Sequence, residues 1–314
     1  MGAELVYGCM GLGGAWSDAA LTAEDVDAAE QAIHAALEIG ITAFDQADIY
    51  RQGKSEAAMG QVLDRDPGLR GRIHIQTKCG IRLGEAGLAA HYDLSAAAIL
   101  ERVRGSLERL RTDHVDVLLL HRPDPLLEPA EIAAAFTELS ESGLVRAFGV
   151  SNMSAAQLAF LRTEIEQPLI VNQLEMSLYK RDWLESGILV NQPAALAYSF
   201  PEGTLEYCRT HAIRLQAWGS LAQGIYSGST AHQPTPADRE AAALVAEMAR
   251  DKDTTPEAIV LGWLMRHPAG IEPVIGTASP ARIRACGDAV EQAGRMSRIE
   301  WYRLFTAARG APVP

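Results

Sequence analysis

Eight times along this chain a short apolar run gives way to a stretch of helical periodicity. That rhythm restricts the fold more than any single motif. The apolar runs cover 4–10, 41–45, 72–78, 115–120, 145–150, 169–173, 213–218 and 271–275. The fourth is apolar except at Asp116, the pattern of a strand covered on both faces. Between the runs, positions such as Val26, Ala29, Ile33 and Leu37 recur at spacings of three and four. Helices are expected over 24–39, 54–64, from a Ser95 cap to 111, 130–142, 154–163, 201–211, 238–251, 255–267 and 297–309. Ser279 and Pro280 open a further one. Alternation of this kind argues a parallel sheet, and eight units argue its closure. The expected fold class is α/β, a (β/α)8 TIM barrel, with residues 1–314 as a single domain. A doubly wound open sheet is the alternative.

Two stretches break the rhythm. Residues 174–200 read as irregular, and 219–236 as a long loop rich in Gly, Ser, Thr and Pro. A loop of that length is expected to be a functional lid.

Composition excludes several classes. The 314 residues carry 28 basic and 40 acidic side chains, a net charge of −12, which argues against a broad nucleic-acid surface. No apolar run is long enough to span a bilayer, and the first ten residues lack the basic start and apolar run of a signal peptide. The four cysteines, Cys9, Cys79, Cys208 and Cys286, form no Cys-x-x-Cys pair. A reduced, cytoplasmic protein without a metal knot is expected.

The chemistry is expected where the strands stop. The second run ends at Asp45, and Tyr50 follows in a polar loop; the third ends at Lys78, and the fourth leads into His121. In parallel α/β folds, chemistry sits on that edge. Each of the four residues taken alone has an ordinary explanation as a cap, packing group or solvated charge. Four titratable groups at three successive strand ends are hard to explain as independent caps. A tyrosine holds its proton at neutral pH, and an adjacent lysine would make the phenol a readier donor. A carboxylate would hold the lysine charged, and a histidine could orient a substrate oxygen. Such a set donates a proton to a carbonyl. It has no activated nucleophile and no zinc-ligand spacing, and the hydride it needs implies a nicotinamide cofactor. Gly11, Gly13 and Gly14 do not form a Gly-x-Gly-x-x-Gly turn opening a helix, so a Rossmann reading fails. Trp16 in that loop reads equally as packing or ligand contact.

Phe44-Asp45-x-Ala47-x-x-Tyr50, then Thr77-Lys78, then His121 resembles the aldo-keto reductase family, from about Glu4 to about Gly310. The segments HRPDP, FGVSN, VNQLEMS and EWYRLFTAARGAPVP are similar to the bacterial YdhF-like subgroup. The resemblance implies a barrel binding extended NADPH, with Tyr50 as general acid, Lys78 and Asp45 tuning it, and His121 orienting the carbonyl of a small-molecule aldehyde or ketone. It implies that Ser151, Asn152 and Gln173 hold the nicotinamide carboxamide and that Trp218 stacks on its ring. Gly219, Ser220, Leu221, Gln223 and Gly224 match the pyrophosphate loop. Gly276, Thr277, Ser279 and Arg282 match the adenosine-phosphate segment, and Gly8, Cys9 and Met10 the first-strand tip beside the cofactor. Helix starts after late barrel strands suit phosphate on general grounds.

The chain departs from the family pattern in four places. Gly276 replaces a common Lys, and Ala285 and Cys286 replace a polar pair facing adenine, so NADH stays open beside NADPH. Arg51 replaces the Gly that commonly follows the tyrosine. The short N-terminus implies loss of the hairpin that plugs the barrel bottom. The rival functional readings are a nucleotide-sensing regulatory subunit with little turnover, and an isomerase or lyase without nicotinamide. Oligomeric state is not legible.

Overall fold

The structure, a computed structural model, describes residues 4–84, 87–228 and 233–314. Ten strands are present among the described residues: β1 Val6–Gly8, β2 Ala43–Asp45, β3 His74–Cys79, β4 Ile81–Arg82, β5 His91–Tyr92, β6 Val115–Leu120, β7 Val145–Ser151, β8 Leu169–Glu175, β9 Arg214–Trp218 and β10 Glu272–Ile275. Eight of them close into a barrel in the order β1-β10-β9-β8-β7-β6-β3-β2. The expected (β/α)8 fold is therefore present, and the open-sheet alternative is not. β4 and β5 form a separate antiparallel pair that the sequence rhythm did not reveal. Two residues per strand are too few to leave a periodic signal.

The helices are α1 Ala23–Glu38, α2 Lys54–Arg65, α3 Ala96–Leu110, α4 Pro129–Glu141, α5 Ala155–Leu161, α6 Asp182–Ile188, α7 Thr204–Thr210, α8 Pro236–Asp251, α9 Pro256–Met265, α10 Pro280–Arg284, α11 Ala289–Arg295 and α12 Arg298–Arg309. Their starts follow from local chemistry. Thr22, Ser154, Thr235 and Ser297 form capping boxes with the third helical residue, and Ser95 and Thr255 cap through their side chains.

One expectation fails, and one helix went unpredicted. Residues 174–200 are not wholly irregular, because α6 and a 3-10 turn, Pro193–Ala197, lie within them. α11 was also not foreseen; at seven residues it is too short for a clear stripe. Part of the expected lid over 219–236 is a 3-10 turn, Ala222–Gly224, and its residues 229–232 lie outside the described residues.

The chain packs as two compact units. One comprises 6–173 with 276–280, and holds β1 to β7 and the first five helices. Phe136 and Phe148 stack in its core at 4.0 Å. Gly60 lets α2 approach α3 closely, since a β-carbon there would meet the Arg109 carbonyl oxygen at 2.2 Å. Asp116, at the amino-terminal part of β6, takes Arg70 and Arg146 at 2.9 Å each and the Ile75 amide. The other unit comprises 1–5, 174–275 and 281–314. There Trp263 and Trp301 stack at 5.1 Å, and each indole N–H donates to the other's backbone carbonyl. Burying one such ring stabilises by several kcal/mol, about 25 cal/mol per Å2 over roughly 150–250 Å2.

Candidate active site

Three neighbouring parallel strands, β2, β3 and β6, carry the expected catalytic groups to one edge. Asp45 ends β2 in register with Gln76, and Lys78 on β3 pairs with Leu119 of β6. His121 follows β6 directly, its amide donating to the Cys79 carbonyl at 2.8 Å. The β2 chain then turns. The Gln46 amide donates to the Gln76 carbonyl at 2.7 Å, the Asp48 amide to the Lys78 carbonyl at 3.0 Å, and the Tyr50 amide to the Ala47 carbonyl at 3.0 Å. The turn delivers Tyr50 above Lys78.

Lys78 is the centre of the arrangement and is only 1% exposed. An ammonium has three hydrogens, and here each has an acceptor. Nζ donates to Asp45 Oδ2 at 2.7 Å, to the Gln46 carbonyl at 2.8 Å and to Tyr50 Oη at 3.0 Å. Asp45's other oxygen accepts from Gln76 Nε2 at 2.6 Å. Burial alone would lower the lysine, but Asp45 and Tyr50 outweigh it and raise its pKa above the ordinary value. The lysine is therefore charged.

Tyr50 departs from expectation in one respect. Burial raises its pKa, and this exceeds the opposing pull of Lys78. The phenol thus holds its proton firmly. Because Lys78 donates to the phenol oxygen, the phenol's own hydrogen stays available to a third group. His121 stands edge-on to Tyr50, ring centroids 6.0 Å apart. Burial, then Lys78 and Arg122, push its pKa down to about 2, so the imidazole is neutral. Its Nδ1 is buried with no hydrogen-bond partner among the described residues. A neutral ring can donate one hydrogen bond without competing as an acid.

The other expected residues fall into two groups. In the unit that holds the tetrad, Ser151 Oγ donates to the Gln173 carbonyl at 2.9 Å. Asn152 has left-handed backbone, φ 60°, and donates to Ser151 Oγ at 2.8 Å. Gly8 and Cys9 are buried at the β1 tip, and burial holds the Cys9 thiol well above its usual range. Met10 is exposed, and its carbonyl accepts from Arg51 Nε at 3.0 Å. Thr277's carbonyl takes the Tyr7 hydroxyl at 3.0 Å, and its Oγ1 takes the Ser279 amide at 3.2 Å. Gly276 is exposed and open. In the other unit, Trp218 ends β9, and Gly219, Ser220, Leu221, Gln223 and Gly224 follow it. Gly219, Gln223 and Gly224 have positive φ, and Ser220 Oγ is anchored on the Val274 carbonyl at 2.8 Å. Arg282 is exposed on α10.

Sequence reasoning missed Gln76, Asp48 and Glu56. Gln76 had a signal: it lies two residues before Lys78 on one strand, hence on the same face. Glu56, fully buried, accepts from Thr77 Oγ1 at 2.6 Å and Arg109 Nε at 2.8 Å. No cluster of three or more potential metal ligands exists among the described residues.

A sequence model of the aldo/keto reductase family matches residues 4–293. The chain belongs to the aldo/keto reductase family. It is 36% identical over 320 residues to the 6-dehydroglucose reductase of Agrobacterium fabrum, covering 99% of this chain and 95% of that one. It is 37% identical over 280 residues to oxidoreductase YdhF of Escherichia coli, covering 88% and 86%. Among solved structures, an aldo-keto reductase from Klebsiella pneumoniae in complex with NADPH superposes with a TM-score of 0.74 at 22% identity, covering 100% and 97%. The family membership makes the chain an NAD(P)H-dependent oxidoreductase, and the YdhF likeness expected from its motifs is present.

Proposed function

We propose that the chain reduces an aldehyde or ketone with NADPH, taking the proton from Tyr50. The observation that carries this reading is the fully used Lys78 ammonium beneath the Tyr50 oxygen. NADPH, when bound, supplies the hydride. As negative charge grows on the substrate oxygen, the Tyr50 hydroxyl gives up its hydrogen, and Lys78 stabilises the phenolate left behind. Asp45 keeps Lys78 charged and aimed. His121, held neutral by burial, orients the carbonyl oxygen. Asn152 and Ser151 carry side-chain polar groups suited to an amide. Gly276 offers open backbone, and Arg282 an exposed guanidinium suited to a 2′-phosphate. Trp218 offers a flat face for stacking. Each compact unit thus carries groups whose chemistry suits part of the cofactor.

The test is NADPH oxidation against a panel of aldehydes and ketones that includes 6-dehydroglucose, the substrate in the Agrobacterium relative's name. Tyr50→Phe should bind NADPH normally and lose roughly 10²–10⁴ in kcat. Full turnover by that variant would remove Tyr50 from the proton step. Tight NADPH binding with no turnover on any carbonyl would favour a sensor instead.

A further inference from the structure

Two buried carboxylates lie behind the tetrad, and only one is satisfied. Glu56 on α2 has Thr77 and Arg109 within 2.8 Å. Asp48, in the turn that delivers Tyr50, is 4% exposed, and neither oxygen has a hydrogen-bond partner among the described residues. Across from it on α3 stands Arg102, whose Nε lies 3.7 Å from Oδ2 and is itself buried with no hydrogen-bond partner among the described residues. The Ile49 amide favours the carboxylate without meeting hydrogen-bond geometry. A buried charge left short of partners is costly, and a fold keeps one mainly where it serves a purpose.

We propose that Asp48, attracted across this gap by Arg102, is a positioning residue that holds the 45–50 turn and so sets the Tyr50 phenol over Lys78. The proposal rests on the reading of Tyr50 as proton donor. The mechanical link is short. The Asp48 amide is tied to the Lys78 carbonyl at 3.0 Å, and Tyr50 comes two residues later with its amide tied to Ala47. Ionised, Asp48 is drawn toward α3. Neutral, it loses that pull, the turn relaxes, and the 3.0 Å contact from Lys78 to Tyr50 loosens. The groups facing Asp48 are Glu56 from α2, Arg102 and Arg109 from α3, and Cys79 from β3, with Arg82 beyond Cys79. Burial first and Glu56 second raise the Asp48 pKa to about 7, against the opposing effect of the two arginines. Burial keeps Cys79 protonated throughout. The change of state therefore falls within the working range.

The experiment measures kcat and KM from pH 5.5 to 9 for wild type, Asp48→Asn, Arg102→Gln and Arg102→Lys. Carbon-13 NMR of the aspartate carboxyl and tyrosine ring carbons runs in parallel, on the NADPH-bound protein. Wild-type kcat should rise with pH along the Asp48 signal. Asp48→Asn should lose that inflection and sit roughly tenfold lower, the scale of a sub-ångström misplacement, with NADPH affinity kept. Arg102→Lys should keep the inflection, and Arg102→Gln should move it to higher pH. An unchanged profile shape in Asp48→Asn, or an Asp48 signal with no ionisation in this range, overturns the proposal. If no carbonyl is turned over, the proton-donor reading fails separately. The positioning link is then read from Tyr50, whose ring signal should follow the Asp48 titration in wild type and be flat in Asp48→Asn; a Tyr50 signal blind to Asp48 overturns it.

Discussion

Asp48→Asn should gain stability relative to wild type as pH rises from 5 to 8, although it removes the carboxylate that faces Arg102 at 3.7 Å. In the unfolded chain the carboxyl ionises near its ordinary 3.8, and in the fold near 7. A carboxyl raised on folding binds its proton more tightly in the folded state. Its contribution is therefore fully favourable below pH 4 and is lost as pH rises through 7. Three units at 1.36 kcal/mol each give a penalty of about 4 kcal/mol above pH 7. The side chain is fully shielded, so no discount for solvent applies. Asparagine keeps the shape and never ionises. Its unpaired Arg102 adds an offset that does not vary with pH, because the guanidinium stays charged. The measurable quantity is thus the change with pH in the difference between variant and wild type. Between pH 5 and pH 8 that difference should grow by about 3 kcal/mol in favour of the variant. Urea denaturation of both proteins at the two pH values gives it directly, and other titrating groups cancel. A difference that is flat with pH, or that shrinks, would refute the claim that Asp48 is forced to ionise in a hostile setting.

Three further outcomes follow from distances already given. Lys78→Met strands the Asp45 carboxylate, so it should destabilise the fold by roughly 3–5 kcal/mol in urea as well as abolish reduction; normal stability would mean the pair is not truly buried. The His121 imidazole should show no ionisation between pH 5 and 8 by proton NMR, since its pKa lies at about 2; a midpoint near 6.5 would contradict the neutral-donor role. Gly60→Ala forces α2 away from the Arg109 carbonyl and should lower stability by about 1–3 kcal/mol, and an unchanged midpoint would show that the helices yield freely.

The barrel was legible because eight mainly apolar runs alternate with amphipathic helices, although three of the barrel strands, β1, β2 and β10, span only three or four residues. The tetrad was legible because Asp45, Lys78 and His121 each end an apolar run. What escaped notice had physical reasons. α6 begins at Asp182 with no capping side chain and carries Trp183, Glu185 and Ser186 on its buried face. Polar residues on a core face defeat a hydrophobic stripe. There Glu185, fully buried, takes both of its bonds from Arg309, 124 positions away. Asp48 escaped because a turn aspartate ordinarily faces water, and only the packed α3 shows that this one does not. The net rise of the Tyr50 pKa escaped because burial cannot be weighed against Lys78 from residue types alone.

The left-handed run after the tyrosine has its own consequence. Arg51 and Gln52 both sit at positive φ and precede Gly53 at 86°. Two side-chain tethers hold the run, Arg51 to the Met10 carbonyl and Gln52 to Asp18. The segment from 10 to 18 therefore acts as a clamp on the reactive corner. A lineage that altered this clamp would retune how firmly the acid is presented without touching any group that handles a proton.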